Sequence, residues 1–277
     1  MKKIVVQAPA KVNLTLEVLN KREDGFHNIQ SIMHTINLFD FLTIKIEDYA
    51  GILIELSGNS SEIPYNENNL VYKACKYFLQ YAKIENTKIN INIEKNIPIA
   101  AGLAGGSTDA AATLRGLNEL FENILDEKQL NEICAMLGSD LNFALTGGCC
   151  LCTSRGEIIE KLPNLKSYIS LVKPKKLGIS AIEAYQKCAQ RGYKQGLDNT
   201  SKMTQSISDD GNFDKTLITN DLQKALTEDY CELSNIVKNC PDCLMTGSGS
   251  TFFVLSKNLP YQFNQDEYDI FEGLELI

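Results

Sequence analysis

Apolar and polar residues alternate in several short segments of the chain, and this period of two is typical of half-buried strands. The clearest case is the segment KINININIEK, in which Ile89, Ile91 and Ile93 alternate with polar residues. Similar segments predict further strands over residues 3–7, 12–19, 42–46, 52–58, 149–153, 158–162 and 169–173, around residue 244 and over residues 252–255.

Apolar residues spaced three and four apart predict helices elsewhere, over residues 69–81, 108–121, 127–137, 180–190 and 228–239. Either Asn68 or Asn69 is placed to cap the first of them. Residues 192–220 are polar and aperiodic, which indicates a long, mobile connection. The mixed order of elements predicts an α+β protein with two lobes, residues 1–160 and 161–277.

Composition narrows the functional classes. The 27 Lys and Arg residues are outnumbered by 35 Asp and Glu residues, and a net charge of −8 with no long basic run argues against a protein that coats nucleic acid. No segment approaches the about 18 apolar residues of a membrane span. The apolar start of the chain is interrupted by Gln7, Lys11 and Asn13, so we expect a mature cytoplasmic N-terminus. The odd number of cysteines, nine, indicates reduced thiols.

The most informative segment is IPIAAGLAGGSTDAAATLRGLNEL, which links a predicted strand to a predicted helix. Its glycines allow main-chain N–H groups to approach a ligand, and the start of a helix favours an anion. Ser107 and Thr108 add hydroxyl groups for a phosphate or for magnesium. The alternative is tight packing of a helix on a sheet. Neither GxxxxGK[ST] nor GxGxxG occurs, so this loop is neither a Walker loop nor a dinucleotide-binding turn.

Three other segments are unspecific when each is taken alone. Lys11 in APAKVNLTL has the features of a surface charge, and Asp140 in LGSDLNFALTGG those of a helix cap. Gly247 and Gly249 in LMTGSGSTFFVL indicate a hairpin turn. Cys240 and Cys243 form a CxxC pair, for which buried thiols are one interpretation and a metal or redox site the other.

In order, these segments resemble the GHMP small-molecule kinases, whose signatures are a PxxK-like N-terminal segment, a Gly/Ala-rich phosphate loop and a C-terminal glycine turn. The resemblance extends from residue 7 to about residue 255. It implies a two-lobed α+β fold, with an N-terminal lobe like ribosomal protein S5 and a C-terminal ferredoxin-like lobe. The stretches KREDGFH and GISAIEAY are similar to one branch of this superfamily, which phosphorylates the 2-hydroxyl of a cytidine diphosphate derivative of methylerythritol in non-mevalonate isoprenoid synthesis.

The resemblance also implies roles for single residues. Asp140 is expected to accept the proton of the substrate hydroxyl, and Lys11 to keep Asp140 ionised and to orient that hydroxyl. ATP, with Mg²⁺, is expected to bind Lys95, Pro98, Ile99, Ala100, Ala101, Gly102, Leu103, Ala104, Gly105, Gly106, Ser107 and Thr108. For Lys95 the alternative is an ordinary charge at the end of a strand.

The substrate is expected to contact Asn13, Phe26, His27, Gly247 and Gly249. Phe26 stands where the branch commonly has tyrosine, which keeps ring stacking and loses a hydroxyl. The implied partner is a small molecule, without nucleic acid, membrane or a resident metal cluster, and the chain is expected to be a monomer or a homodimer. The alternatives are another kinase of the superfamily, of the homoserine or mevalonate type, and a nucleotide-binding protein without turnover.

Overall fold

The computed structural model describes residues 1–192 and 198–277, which form two compact units of interleaved segments. The first unit contains Met1–Ala10, Leu38–Ile99 and Ala104–Thr146, and the second contains Lys11–Asn37, Ala100–Leu103 and Gly147–Ile277. Lobes 1–160 and 161–277 stay a prediction. No helix in the described ranges is both long and apolar enough to cross a membrane.

The strands of the first unit include β4 (Ile52–Gly58), β5 (Thr87–Glu94) and the C-terminal part of β3 (His27–Glu47). β5 runs antiparallel to β3 and parallel to β4. Its alternating isoleucines are buried, which confirms the strand that their period of two predicts.

Four helices cover the apolar residues of the first unit: α1 (Leu70–Ala82), α2 (Gly105–Leu120), α3 (Glu127–Leu137) and α4 (Asp140–Thr146). Asn69 caps α1 by accepting from the N–H of Val71, as one of the two expected caps. Asp126 and Gln129 form a reciprocal capping box at the start of α3. Apolar side chains from α1, α2 and α3 pack on β3 and β5 as one buried cluster.

The second unit begins at Lys11 in β1 (Lys2–Asn13), which pairs with β3. β2 (Thr15–Lys21) and β6 (Cys149–Ser154) both run antiparallel to β3, and β7 (Ile158–Leu162) pairs with β6.

A second, antiparallel sheet of the same unit contains, in spatial order, β10 (Leu244–Met245), β11 (Phe252–Val254), β8 (Tyr168–Pro174) and β12 (Tyr268–Glu275). The β10–β11 pair confirms the predicted hairpin. β12 was not predicted, because its pattern of polar and apolar residues is irregular.

Four helices belong to the second unit: α5 (Ala181–Gln190), α6 (Asn199–Ser206), α7 (Asp221–Thr227) and α8 (Cys231–Asn239). The prediction of a long mobile connection over residues 192–220 is wrong in its described part. It contains α6, a 3₁₀ turn (Lys215–Leu217) and β9 (Thr219–Asn220), which pairs parallel with β2. Tertiary contacts of buried Thr200 and Met203 hold α6 in place, although its sequence is polar. Residues 193–197 of the predicted connection lie outside the described residues.

Three further expectations are corrected. Residues 8–11 lie in β1, which runs from Lys2 to Asn13 without the interruption between the strands predicted over residues 3–7 and 12–19. α2 begins at Gly105, three residues before the predicted start, so the last loop glycines form its first turn. Cys240 and Cys243 are joined by a disulfide, because a turn that follows α8 brings their Cα atoms to 5.4 Å. The expectation of thiols at these two positions is therefore wrong.

Candidate functional site

Lys11 lies near the end of β1, with only 4% of its surface exposed. Its Nζ donates to Asn13 Oδ1 at 2.6 Å and to the main-chain oxygen of Gly102 at 2.9 Å. Its own N–H donates to the oxygen of Leu103 at 3.2 Å. A buried ammonium group that is held by several acceptors is positioned for chemistry, and it is not the surface charge that the isolated motif suggests.

Asn13 is held from three sides. Its Nδ2 donates to Ser31 Oγ at 2.8 Å, its N–H donates to Thr246 Oγ1 at 2.9 Å, and its Oδ1 accepts from Lys11. With 1% exposure, its amide orientation follows from these partners. Asn13 therefore orients Lys11 as much as it offers an amide to a ligand.

Two glycines meet at this point because their main chains approach closely. Gly102 has φ +75°, and a Cβ at this position would lie 2.2 Å from the oxygen of Thr246. Gly247 has φ +54°, and a Cβ there would lie 2.8 Å from the oxygen of Gly102 and 3.0 Å from Nζ of Lys11. Only glycine fits either position. The structure thus brings the N-terminal motif, the loop and the C-terminal turn together at Lys11, Asn13, Gly102 and Gly247.

Gly249, in the same turn, has φ +78°, and a Cβ there would lie 2.8 Å from Sδ of Met245. The N–H of Gly249 donates to the oxygen of Thr246 at 3.0 Å. This residue shapes the turn on which Gly247 lies.

The N-terminus of helix α2 has the geometry of an anion-binding site. Ala104, the residue before its first turn, is left-handed at φ 58° and has no side-chain acceptor to cap the helix. The N–H groups of the first turn are therefore directed towards any ligand at this end, which favours a phosphate. Ser107 is half-buried in this turn, whereas Thr108 is buried and donates to the oxygen of Pro9 at 2.8 Å. Among the described residues, Thr108 is the one of the two predicted hydroxyls that donates a hydrogen bond to a main-chain oxygen.

Lys95 lies in an ion-pair cluster of the first unit, and its side chain is only 6% exposed. Its Nζ is hydrogen-bonded to Asp40 Oδ2 and lies 2.8 Å from Asp109 Oδ2. Burial opposes its charge, but Asp109 and Asp40 outweigh that effect and raise the pKa of Lys95. Burial raises the pKa of Asp109 to about 7, although Lys95 acts in the opposite direction.

Asp140 opens α4 in the first unit and is half-buried. Gly138 ends α3, and its oxygen accepts from the N–H of Leu141 at 3.4 Å, so the chain turns directly from α3 into α4 at this carboxylate. In α4, the side chain of Asn142 donates to the oxygen of Asn131 at 3.0 Å and fixes this helix on α3.

Phe26 and His27 of the second unit each contact a side chain distant in sequence. The His27 ring stacks on Tyr185 of α5, with 5.4 Å between centroids and 9° between planes. Phe26 is 51% exposed, and Cζ of Arg155 lies 5.0 Å from its centroid. Burial, followed by the charge of Lys21, lowers the pKa of His27, which favours a neutral ring.

Sequence reasoning missed both of these partners, Tyr185 and Arg155. Tyr185 lies in the GISAIEAY stretch, so the signal was present, but only the fold shows that it stacks on His27. Arg155 follows β6 and carries no local signal. Aromatic rings and a guanidinium group placed in this way suit a planar ring that can stack on them.

Among the described residues, no group of three or more His, Cys, Asp or Glu side chains could hold a metal ion.

The sequence model of the GHMP kinases N terminal domain matches residues 69–151, a segment that includes α1, the loop and α2 to α4. Two solved structures share the fold over nearly the whole chain. The crystal structure of a 4-(cytidine 5'-diphospho)-2C-methyl-D-erythritol kinase has a TM-score of 0.74 at 28% identity, with 92% of this chain and 91% of that chain covered. That of homoserine kinase from Cytophaga hutchinsonii has a TM-score of 0.71 at 17% identity, with 100% and 98% covered. The fold is thus that of a GHMP kinase, and the expected fold class is confirmed.

Curated relatives narrow the class further. The 4-diphosphocytidyl-2-C-methyl-D-erythritol kinase of Prochlorococcus marinus is 39% identical over 93% of this chain and 87% of its own length. The protein of the same name from Syntrophomonas wolfei is 46% identical over 72% of this chain and 68% of its own length. The chain belongs to the family of 4-diphosphocytidyl-2-C-methyl-D-erythritol kinases.

Proposed function

We propose that this protein transfers the γ-phosphoryl group of ATP to the 2-hydroxyl of 4-diphosphocytidyl-2-C-methyl-D-erythritol, a step of non-mevalonate isoprenoid synthesis. The observation that carries the proposal is the buried Lys11, held between Asn13 and the Gly102 carbonyl, in a chain of this kinase family. A buried cation beside a glycine loop suits the transfer of a charged phosphoryl group, which depends mainly on positioning and electrostatics.

ATP is proposed to bind along residues 98–108. The first-turn N–H groups of α2 and the hydroxyl of Ser107 receive its phosphates, while Gly102 lets the loop pass close to the Gly247 turn. Thr108 supports this loop through its bond to Pro9. Ser107 would hold Mg²⁺ through its hydroxyl oxygen, and the ion would supply positive charge that offsets the negative charge of the transferring group. A hydroxyl oxygen is a donor of the type that Mg²⁺ prefers.

Asp140 is proposed as the general base. It accepts the proton of the 2-hydroxyl as this oxygen attacks the γ-phosphorus, and the bond from phosphorus to the bridging oxygen of ADP breaks. The ammonium group of Lys11 is proposed to orient the hydroxyl and to offset charge on the phosphoryl oxygens. Asn13 keeps Lys11 in this orientation.

The cytidine end of the substrate is proposed to bind at Phe26, His27 and Tyr185. The rings of Phe26 and Tyr185 offer stacking surface, and His27 offers ring nitrogens for hydrogen bonds to the base. Gly247 and Gly249 are proposed to line the substrate site through their main chains. We further propose a cytoplasmic protein, a monomer or homodimer, that binds neither nucleic acid nor membrane.

The test is ADP release by purified protein with ATP and Mg²⁺, comparing 4-diphosphocytidyl-2-C-methyl-D-erythritol with homoserine and mevalonate. We expect turnover with the first substrate alone, and a decrease in kcat of about 10²- to 10⁴-fold in Asp140→Asn. Turnover with another alcohol would overturn the substrate assignment. ATP binding without any turnover would favour a non-catalytic protein.

A further inference from the structure

Lys95, Asp40 and Asp109 form a buried cluster at the two ends of the phosphate loop. Asp40 lies in β3 and is fully buried, Lys95 follows β5, and Asp109 lies in α2 with a side chain that is 4% exposed. All three belong to the first unit, as does the start of α2. We call this set the loop clamp.

The loop clamp holds the entry to the loop through Asp40. The carboxylate Oδ1 of Asp40 accepts from the N–H of Asn96 at 2.6 Å and from the N–H of Ile97 at 2.8 Å. These are the last residues before Pro98, where the loop begins. Two main-chain bonds to one buried carboxylate fix the direction in which the chain enters the loop.

The loop clamp holds the exit of the loop through Lys95. Its Nζ donates to Asp109 Oδ2 on α2. The same Nζ lies close to Gly105, because a Cβ built on Gly105 would be 3.1 Å from it. Gly105 is the first residue of α2, so the ammonium group lies against the turn whose N–H groups are proposed to bind the phosphates.

From this geometry we infer that Lys95, Asp40 and Asp109 are positioning residues, which set the first turn of α2 for the phosphates of ATP without contacting the nucleotide. Two acceptors already engage the Lys95 ammonium group, and its side chain is almost inaccessible to solvent, so a direct bond to ATP would require it to leave a buried ion pair. This inference rests on the proposed function for the identity of the nucleotide.

The charges of the loop clamp support this role. Asp109 Oδ1 is buried and has no hydrogen-bond partner among the described residues, whereas Oδ2 binds Lys95. Two carboxylates share one ammonium group in a buried place. Burial raises the pKa of Asp109, and the charge of Asp40 adds a smaller effect in the same direction, against the opposing effect of Lys95. Such an arrangement costs stability, and a purely structural position would be served as well by apolar side chains.

Calorimetric titration with a non-hydrolysable ATP analogue and Mg²⁺ tests the inference, with the cytidyl substrate titrated in parallel. We expect Asp109→Asn and Asp40→Asn, which keep size and shape, each to raise the Kd of the analogue about tenfold and to leave the Kd of the cytidyl substrate unchanged. Adding Asp109→Asn to Lys95→Met is expected to cause little further loss, because both changes break the same contact.

The matched control is Arg115→Met. Arg115 is a half-buried cation of α2, which donates to the oxygens of Ala144 and Gln7 at 2.7 Å and 3.3 Å, far along the helix from the loop. This variant is expected to unfold at lower temperature while its Kd for the analogue stays within about twofold of wild type.

Three results would overturn the inference. If Lys95→Met weakens the analogue while both Asp variants bind it as wild type does, Lys95 is a direct ligand. If all variants weaken both ligands in proportion to their loss of thermal stability, as Arg115→Met does, the loop clamp is only structural. Absence of analogue binding by the wild type would also overturn it. A wild type that binds the analogue with the expected variant effects but shows no turnover would refute the proposed reaction alone.

Discussion

The ammonium group of Lys11 donates a hydrogen bond to the main-chain oxygen of Gly102 at 2.9 Å, although the two residues are 91 positions apart in the chain. The bond joins the N-terminal motif to the phosphate loop. Because the oxygen of Gly102 also faces Gly247, one carbonyl connects three sequence motifs. The shape of the loop therefore depends on the residue proposed to act on the transferring group.

Replacing Gly102 by alanine should disrupt this arrangement. The new Cβ would meet the oxygen of Thr246 at 2.2 Å in a left-handed conformation. We expect Gly102→Ala to lose about 1–3 kcal/mol of unfolding free energy and to raise KM for ATP at least about tenfold. Chemical unfolding and steady-state kinetics measure the two effects.

Gly273→Ala is the matched control for this change. Gly273 has a similar φ of +70°, but a Cβ there would meet nothing within 4 Å. We expect about 1 kcal/mol of destabilisation from backbone strain and an unchanged KM for ATP. Equal effects of both variants on KM would refute the importance of the close approach.

Tyr185 should determine affinity for the cytidyl substrate, because its ring stacks on His27. We expect Tyr185→Leu to raise KM for this substrate about tenfold, with KM for ATP unchanged. Gln186→Ala, an exposed position on the same helix, should leave both constants at their wild-type values. The proposed cytidine site is incorrect if Tyr185→Leu changes neither constant.

His34 should make the protein less stable in acid. Its Nδ1 lies 2.8 Å from the oxygen of Thr35, and its Nε2 accepts from the N–H of Leu165 at 3.0 Å, a pattern that requires a neutral ring. Burial lowers its pKa to about 4, against the opposing effect of Thr35. The pKa of histidine in the unfolded chain is about 6.5. Below this pH the unfolded chain binds a proton at His34 while the folded chain does not, so the free energy of unfolding decreases as pH falls towards the folded pKa.

Urea unfolding measures this effect. Between pH 7 and pH 5, we expect His34 to account for a loss of about 2 kcal/mol, which His34→Gln should abolish at the cost of lower stability at pH 7. His27→Gln, on a more exposed ring, should retain most of the dependence. Equal acid sensitivity of wild type and His34→Gln would contradict the assignment.

The disulfide of Cys240 and Cys243 predicts a thiol count. When the protein is unfolded without reductant and alkylated, its mass should show two fewer labels than after reduction, when all nine cysteines react. Cys240→Ser should then carry one more label without reductant than the wild type, since Cys243 becomes available. Identical label numbers in the wild type before and after reduction would show that the bond does not form.

The sequence alone predicted β5, α1 and α3 of the first unit, but it missed α4 and placed the start of α2 three residues too late. Strand β5 and helices α1 and α3 follow from local periodicity and capping, because the burial of one face is already encoded in the order of neighbouring residues. The loop between β5 and α2 was predicted because glycines and alanines lie between a predicted strand and a predicted helix. Helix α6 was missed because its stability comes from distant contacts, such as the bond between Thr200 and Thr15.

Only the tertiary structure decided how the single residues of the site are used. Lys11 resembles a surface charge and Lys95 the end of a strand until distant carbonyl and carboxylate groups surround them. The stacking of Tyr185 on His27 likewise joins segments that are far apart in the chain. Local pattern determines which face of an element is apolar, but hydrogen bonds and ion pairs between distant residues depend on where the folded chain places them.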